Sequence, residues 1–206
     1  MNDIKLENIG KKFRNEWIFK NLDYHFKTGA KYAITGHNGS GKSTFLSVIS
    51  GIIPANKGSI TYAQNGVNVA EDQMYKLVSF TAPYIELIEE FTLTELISFH
   101  TSFKPFIAEM DSQKFLEKTY LSEHQHKPIK QFSSGMKQRL KLGLSFFTES
   151  SILFLDEPTT NLDELGIQWY LSNVRELAPN RLVIISSNDK REFEFCDETL
   201  DITKYK

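Results

Sequence analysis

The run Gly36-His37-Asn38-Gly39-Ser40-Gly41-Lys42-Ser43-Thr44 carries the spacing G-x-x-x-x-G-K-[ST], which suits a loop holding the phosphates of a nucleoside triphosphate. Each residue type has a task there. Gly36, Gly39 and Gly41 allow positive φ and close backbone approach, so successive N–H groups can turn toward phosphate oxygens at the positive end of a helix dipole. Lys42 brings a full charge to the β and γ phosphates. Ser43 offers a hydroxyl able to ligate Mg²⁺, and Thr44 offers a hydroxyl and an N–H within reach of the α-phosphate.

A second cluster is Ile152-Leu153-Phe154-Leu155-Asp156-Glu157-Pro158, two carboxylates directly after an apolar strand. Open α/β sheets place ligands at that carboxyl end. Asp156 suits the Mg²⁺ shell and Glu157 suits the orientation of an attacking water; adjacent strand residues point opposite ways, so neighbouring acids can take different tasks. Between the two clusters lies Gln131-Phe132-Ser133-Ser134-Gly135-Met136-Lys137-Gln138-Arg139-Leu140. Ser133 reads as an N-cap, and the helix it opens presents a second N-terminus to an anion. On its own, that segment is a capped amphipathic helix.

The elements that position these residues follow from pattern. Residues 31–35 read as a buried strand before the phosphate loop and residues 45–49 as a helix after it. Residues 1–35 alternate apolar and polar positions, which predicts antiparallel strands broken at Gly10 and at Thr28-Gly29. A short helix is expected at 72–77, a strand at 77–80 ended by Pro83, and helices between Thr92 and Phe147. Strands at 152–155, 182–185 and 198–202 flank a helix at 164–176. The expected fold is α/β, a mostly parallel sheet with right-handed crossovers, an antiparallel β edge and an inserted helical subdomain. Its core is residues 1–82 and 149–206, and the helical subdomain is 83–148.

At 206 residues the chain fits one domain, long enough to bury about 70% of the surface of its unfolded form. A net charge of −2 gives no basic footprint, so a nucleic-acid partner is disfavoured. Cys196 is the only cysteine, which rules out an internal disulfide and fits a buried, passive thiol in a reducing compartment. No stretch approaches the ~20 apolar residues of a membrane span, and the start of the chain lacks a secretion signal, so the expectation is a cytoplasmic protein. His124 and His126 read as a solvated loop pair rather than a metal site. Lys137, Arg139 and Lys141 read as the wet face of a helix.

Taken in order, GHNGSGKST, FSSGM and ILFLDEP resemble the Walker A, signature and Walker B motifs of the ATP-binding subunits of ABC transporters, over almost the whole chain. The resemblance implies an ABC-type P-loop ATPase using ATP and Mg²⁺. It also implies head-to-tail pairing, as a homodimer or with a paralogue, in which Ser133 and Gly135 contact the γ-phosphate held by Lys42 of the partner subunit. Phe13 matches the aromatic that stacks on adenine, although a core phenylalanine is an alternative. Asn161-Leu162-Asp163 looks like the D-loop, with Asp163 at the dimer seam. An integral membrane permease subunit would hold the chain on the inner face of the cell membrane, and export is the expected direction.

Four positions depart from the family pattern, in three places. Ser134 and Met136 alter the signature, Pro83 stands where the family has a glutamine, and Asn188 stands where it has a histidine. Proline has no side-chain oxygen for a metal. Asn188 can still hydrogen-bond a γ-phosphate or the water, but without positive charge. Two other readings fit the same motifs: a soluble ABC-type ATPase serving as an assembly factor, and a nucleotide sensor with little hydrolysis.

Overall fold

A computed structural model describes residues 2–177 and 181–206, with the backbone alone for Glu71. The chain divides into two compact units. One is built from residues up to Phe80, from 150–157 and from Arg175 onward; the other takes 81–149 and 158–174.

In the first unit, β1 (Asn2–Phe13) and β2 (Glu16–Lys27) form an antiparallel hairpin in which Ile4, Leu6, Phe19, Leu22 and Phe26 are buried. Next come β3 (Lys31–Thr35), α1 (Lys42–Ile49), β4 (Lys57–Gln64), β5 (Val67–Asn68), α2 (Met74–Leu77) and β6 (Val78–Thr81). The antiparallel sheet has the order β2-β1-β4-β5. The hairpin β4–β5 is absent from the sequence reading, although its turn residues Asn65 (φ 52°) and Gly66 (φ 78°) are an Asn-Gly pair, a strong short-range hairpin signal.

Gly10 does not end a strand. It sits within β1, where the register with β2 shifts, and a Cβ there would come within 2.8 Å of the Trp17 ring. The glycine marks a bulge and a close approach rather than a break. The expected break at Thr28-Gly29 is present as a turn, with Gly29 at φ 95°.

The second sheet combines β6 with β7 (Ile152–Asp156), β8 (Leu182–Ser186) and β9 (Glu198–Asp201) in the order β6-β7-β8-β3-β9. The pairs β7/β8, β8/β3 and β3/β9 are parallel. β7 and β8 are buried along their whole length, as expected of unbroken apolar runs in a parallel sheet covered on both faces. Register sets Asp156 opposite Ser186, and Ile34 opposite Ser186 as well, so the carboxyl ends of β7, β8 and β3 finish side by side. Phe45, Leu46, Val48 and Ile49 of α1 join the same core as both sheets.

The second unit is helical: α3 (Leu93–Phe103), α4 (Ser112–Lys118), α5 (Ser134–Phe147) and most of α6 (Glu164–Leu177). Side chains cap the first three. Thr92 and Glu95 form a reciprocal capping box, Asp111 accepts from Lys114 N at 2.8 Å, and Ser133 accepts from Met136 N at 3.2 Å. The unit extends past the stretch 83–148 read from the sequence. Residues 158–174 join it because Trp169 and Tyr170 pack on Phe146, and Trp169 Nε1 donates to Lys118 O at 2.8 Å. A short α7 (Lys190–Phe193) returns to the first unit.

Candidate functional site

The strand β3, the loop 36–41 and the helix α1 give the phosphate-binding sequence the setting it requires. All three loop glycines have positive φ: 144° at Gly36, 76° at Gly39 and 102° at Gly41. Gly41 has no substitute, since a Cβ there would stand 2.4 Å from Ile18 Cγ2 and in a backbone region L side chains rarely adopt. Ser40 N closes a turn onto His37 O at 3.0 Å. Lys42 is 5% exposed, and its ammonium donates to Gly36 O at 2.9 Å and His37 O at 3.4 Å. The charge is thus folded into the loop that would carry the phosphates.

A cavity of about 260 Å³ opens against this loop, lined by Ile18, Asn38, Gly39, Gly41, Lys42, Ser43, Thr44 and Glu157. It unites residues from positions 18, 38, 39, 41–44 and 157. Only Ile18 escaped the sequence reading: it is an ordinary apolar strand residue, and just its contact with Gly41 gives it a place at the site. Gly36, His37 and Ser40 shape the loop without lining the cavity. Phe13 is also outside the lining, and Ser133, Gly135 and Asp163 belong to the other unit.

Asp156 ends β7 and is 1% exposed, with its Oδ1 buried and without a hydrogen-bond partner. Burial raises its carboxyl above the usual aspartate value; the hydroxyls of Ser43 and Ser186 and the charge of Lys42 pull it down, while Glu157 adds to the rise. An orphaned buried carboxylate oxygen beside a serine hydroxyl that lines the cavity fits a small hard cation. Mg²⁺ takes few protein oxygens and fills its shell with water and substrate phosphate.

Glu157 follows the strand rather than continuing it. Its φ is 43° and its N–H donates to Ser186 O at 2.8 Å. The divergence of the two acids therefore comes from a left-handed residue, not from strand alternation. A glutamate held at positive φ is the kind of local strain that collects at functional sites. Asn188, just beyond β8, donates its Nδ2 to Asn38 Oδ1, so its side chain is keyed directly to the phosphate loop.

Phe13 is 51% exposed, which removes the alternative of a core phenylalanine. The Lys11 ammonium lies 5.3 Å from its ring centroid, leaving a ring face able to stack on a base. In the helical unit, Ser133 is exposed at the start of α5, and Gly135 lies so near the 161 carbonyl that a Cβ would stand 3.0 Å from it. Asp163 accepts from Gly166 N at 2.8 Å, capping α6, and is otherwise exposed.

The basic residues of α5 are not a wet face. The Arg139 guanidinium lies 5.6 Å from the Tyr120 ring and 6.0 Å from the Trp169 ring, and 3.9 Å from Asp163 Oδ1. Lys137 pairs with Glu89, and Lys141 donates to backbone carbonyls. Elsewhere, the His124 ring packs against Phe132, and burial pushes the Cys196 thiol up to about 12, too high for a reactive thiolate.

Residues 19–160 match the family model described as ABC transporter. The chain belongs to the ABC transporter family. It is an ATP-binding, ATP-hydrolysing chain of that family. Among its relatives is the lantibiotic transport ATP-binding protein SrtF of Streptococcus pyogenes, 32% identical over 80% of this chain and 70% of that protein. Another is the linearmycin resistance ATP-binding protein LnrL of Bacillus subtilis (strain 168), 29% identical over 94% of this chain and 64% of that one. The dimeric bacterial ABC transporter cassette MJ0796 shares the fold, with a TM-score of 0.79 at 22% identity, covering 97% of this chain and 95% of its own. Among the described residues, no helix of this ABC chain is long and apolar enough to cross a membrane.

Asp156 yields a first expected outcome. Because its folded pKa is raised, the folded protein bears a desolvation cost that is absent below the ordinary aspartate value near 4 and complete above the raised value. In nucleotide-free protein, Asp156→Asn is expected to raise Tm by about 3 °C at neutral pH, with the gain vanishing as the buffer falls toward pH 4. Calorimetric scans across that range check it, and a lowered Tm at pH 7 contradicts it.

Proposed function

We propose that this chain is the ATPase subunit of an ABC exporter, pairing with a second ATP-binding chain on ATP and acting on a separate membrane subunit at the inner face of the cell membrane. The carrying observation is the cavity that gathers Lys42, Ser43 and Glu157, with the unpartnered Asp156 oxygen beside Ser43. Lys42 and the loop N–H groups hold the phosphates. Ser43 and Asp156 would hold Mg²⁺, which when bound neutralises charge on the phosphate oxygens. Glu157 orients the attacking water and accepts its proton, Asn188 donates to the γ-phosphate, and the Phe13 ring stacks on adenine.

Export is supported by the relatives concerned with lantibiotic transport and linearmycin resistance. Dimerisation is supported by the exposed N-terminus of α5, a helix end able to face an anion. The test is pull-down of the tagged chain from detergent-solubilised membranes. Recovery with a multi-span subunit supports the reading, and recovery of the chain free of any membrane protein with full ATPase activity contradicts it.

Asn188→His is expected to speed single-turnover hydrolysis about fivefold with little change in ATP affinity, since a charge-assisted hydrogen bond is roughly twice as strong as a neutral one. Quenched-flow measurement beside the parent decides it. An unchanged or slower chemical step means the Asn38–Asn188 pairing is already matched to the reaction.

A further inference from the structure

α5 carries Lys137 and Lys141 one turn apart, and both reach the same stretch of chain. Lys141 Nζ donates to Ala82 O at 3.2 Å, Pro83 O at 3.0 Å and Ile85 O at 3.3 Å. Lys137 pairs with the Glu89 carboxylate. Thr81 adds a bond from Oγ1 to Lys141 O at 3.3 Å and a short contact with the Ser145 hydroxyl. An ammonium has three protons and no acceptor, so this loop alone satisfies Lys141.

Fixing a lysine costs side-chain entropy, and drawing it out of water costs more. Burial holds the Lys141 ammonium below its ordinary pKa, with Lys137 adding to the shift. A solvated lysine bears neither cost, and three carbonyls on one Nζ are what offset them here. Position 83 sharpens the arrangement, because proline supplies no N–H and no polar side chain, leaving its carbonyl as its sole polar handle.

We infer that Lys141 is a positioning residue: it ties the Ala82–Ile85 loop to the helix that begins at Ser133 and Gly135, so that loop and helix end are set in place as one piece. The role rests on the proposal that Ser133 and Gly135 meet ATP held by the partner subunit. If the tie is cut, the helix end loses its fixed position while the phosphate loop of the same chain is untouched. ATP binding therefore survives and turnover falls.

Three variants of the full chain test this: Lys141→Met, close in length but without protons; Lys141→Arg, which keeps donors; and Ser133→Asp, which keeps an N-cap but sets a negative charge toward the phosphate. For Lys141→Met, amide exchange across residues 84–90 is expected to quicken about tenfold and kcat to fall about tenfold, with equilibrium ATP affinity unchanged. Lys141→Arg restores most of both. Parental exchange in Lys141→Met, or fast exchange with parental kcat, overturns the role, as does an equal loss in Lys141→Arg. Ser133→Asp separates the two ideas. Parental turnover there overturns the dimer reading itself, whereas lost turnover there beside parental turnover in Lys141→Met overturns the role of Lys141 alone.

Discussion

Lys42→Ala is expected to lower ATP affinity about 100-fold while the protein stays folded, since hydrogen bonds to a charged partner contribute about 1.5–3 kcal/mol each and the ammonium can make two toward the phosphates. The fold survives because of what the lysine does without a ligand. Its protons rest on the carbonyls of Gly36, which is half-buried, and His37, which is exposed, so water can reach them. Cutting those two bonds leaves the acceptors solvated rather than stranded. The sheet and α1 hold together through the buried side chains of Phe45, Leu46 and Ile49. Calorimetric titration with ATP, beside circular dichroism of the same sample, measures both parts. Near-parental affinity in a folded Lys42→Ala protein would sink the assignment of the phosphate site.

The phosphate loop and the two acids were legible because their constraints are local. Gly41 must be glycine already because of its own φ of 102°, and the acids lie where an apolar run ends. Ile18 and Lys141 were not legible. Each is an unremarkable residue for its element, an apolar strand position and a basic helix position, and each acquires meaning only from a partner far along the chain: Gly41 for one, the carbonyls at 82, 83 and 85 for the other. Gly10 failed for a related reason. Glycine usually breaks a pattern, but in β1 the bulged register and the Trp17 ring across the hairpin keep the strand going through it. The β4–β5 hairpin was different, for Asn65-Gly66 announced it and the apolar alternation around it was weak: of its buried face, only Tyr62 is fully enclosed.

Glu157→Gln is expected to cut hydrolysis by about a thousandfold while ATP binding persists, the range general acid–base groups supply. Glutamine has the shape of glutamate, so the backbone can keep its φ of 43° and the bond from the 157 N–H to Ser186 O at 2.8 Å. What disappears is the carboxylate charge, and with it the group able to draw a proton from water at the cavity wall. Lys42, Ser43 and Asp156 are unchanged, so the affinity that depends on them is kept. An ATP-bound state that forms but does not turn over accumulates, and if dimerisation is driven by ATP, the variant should migrate as a dimer on size exclusion with ATP and Mg²⁺ while the parent does so only transiently. Parental turnover removes Glu157 from the chemistry. Lost turnover with a purely monomeric elution keeps Glu157 as the acting carboxylate but contradicts assembly of two chains around ATP, leaving the exposed N-terminus of α5 without the partner that the proposed function gives it.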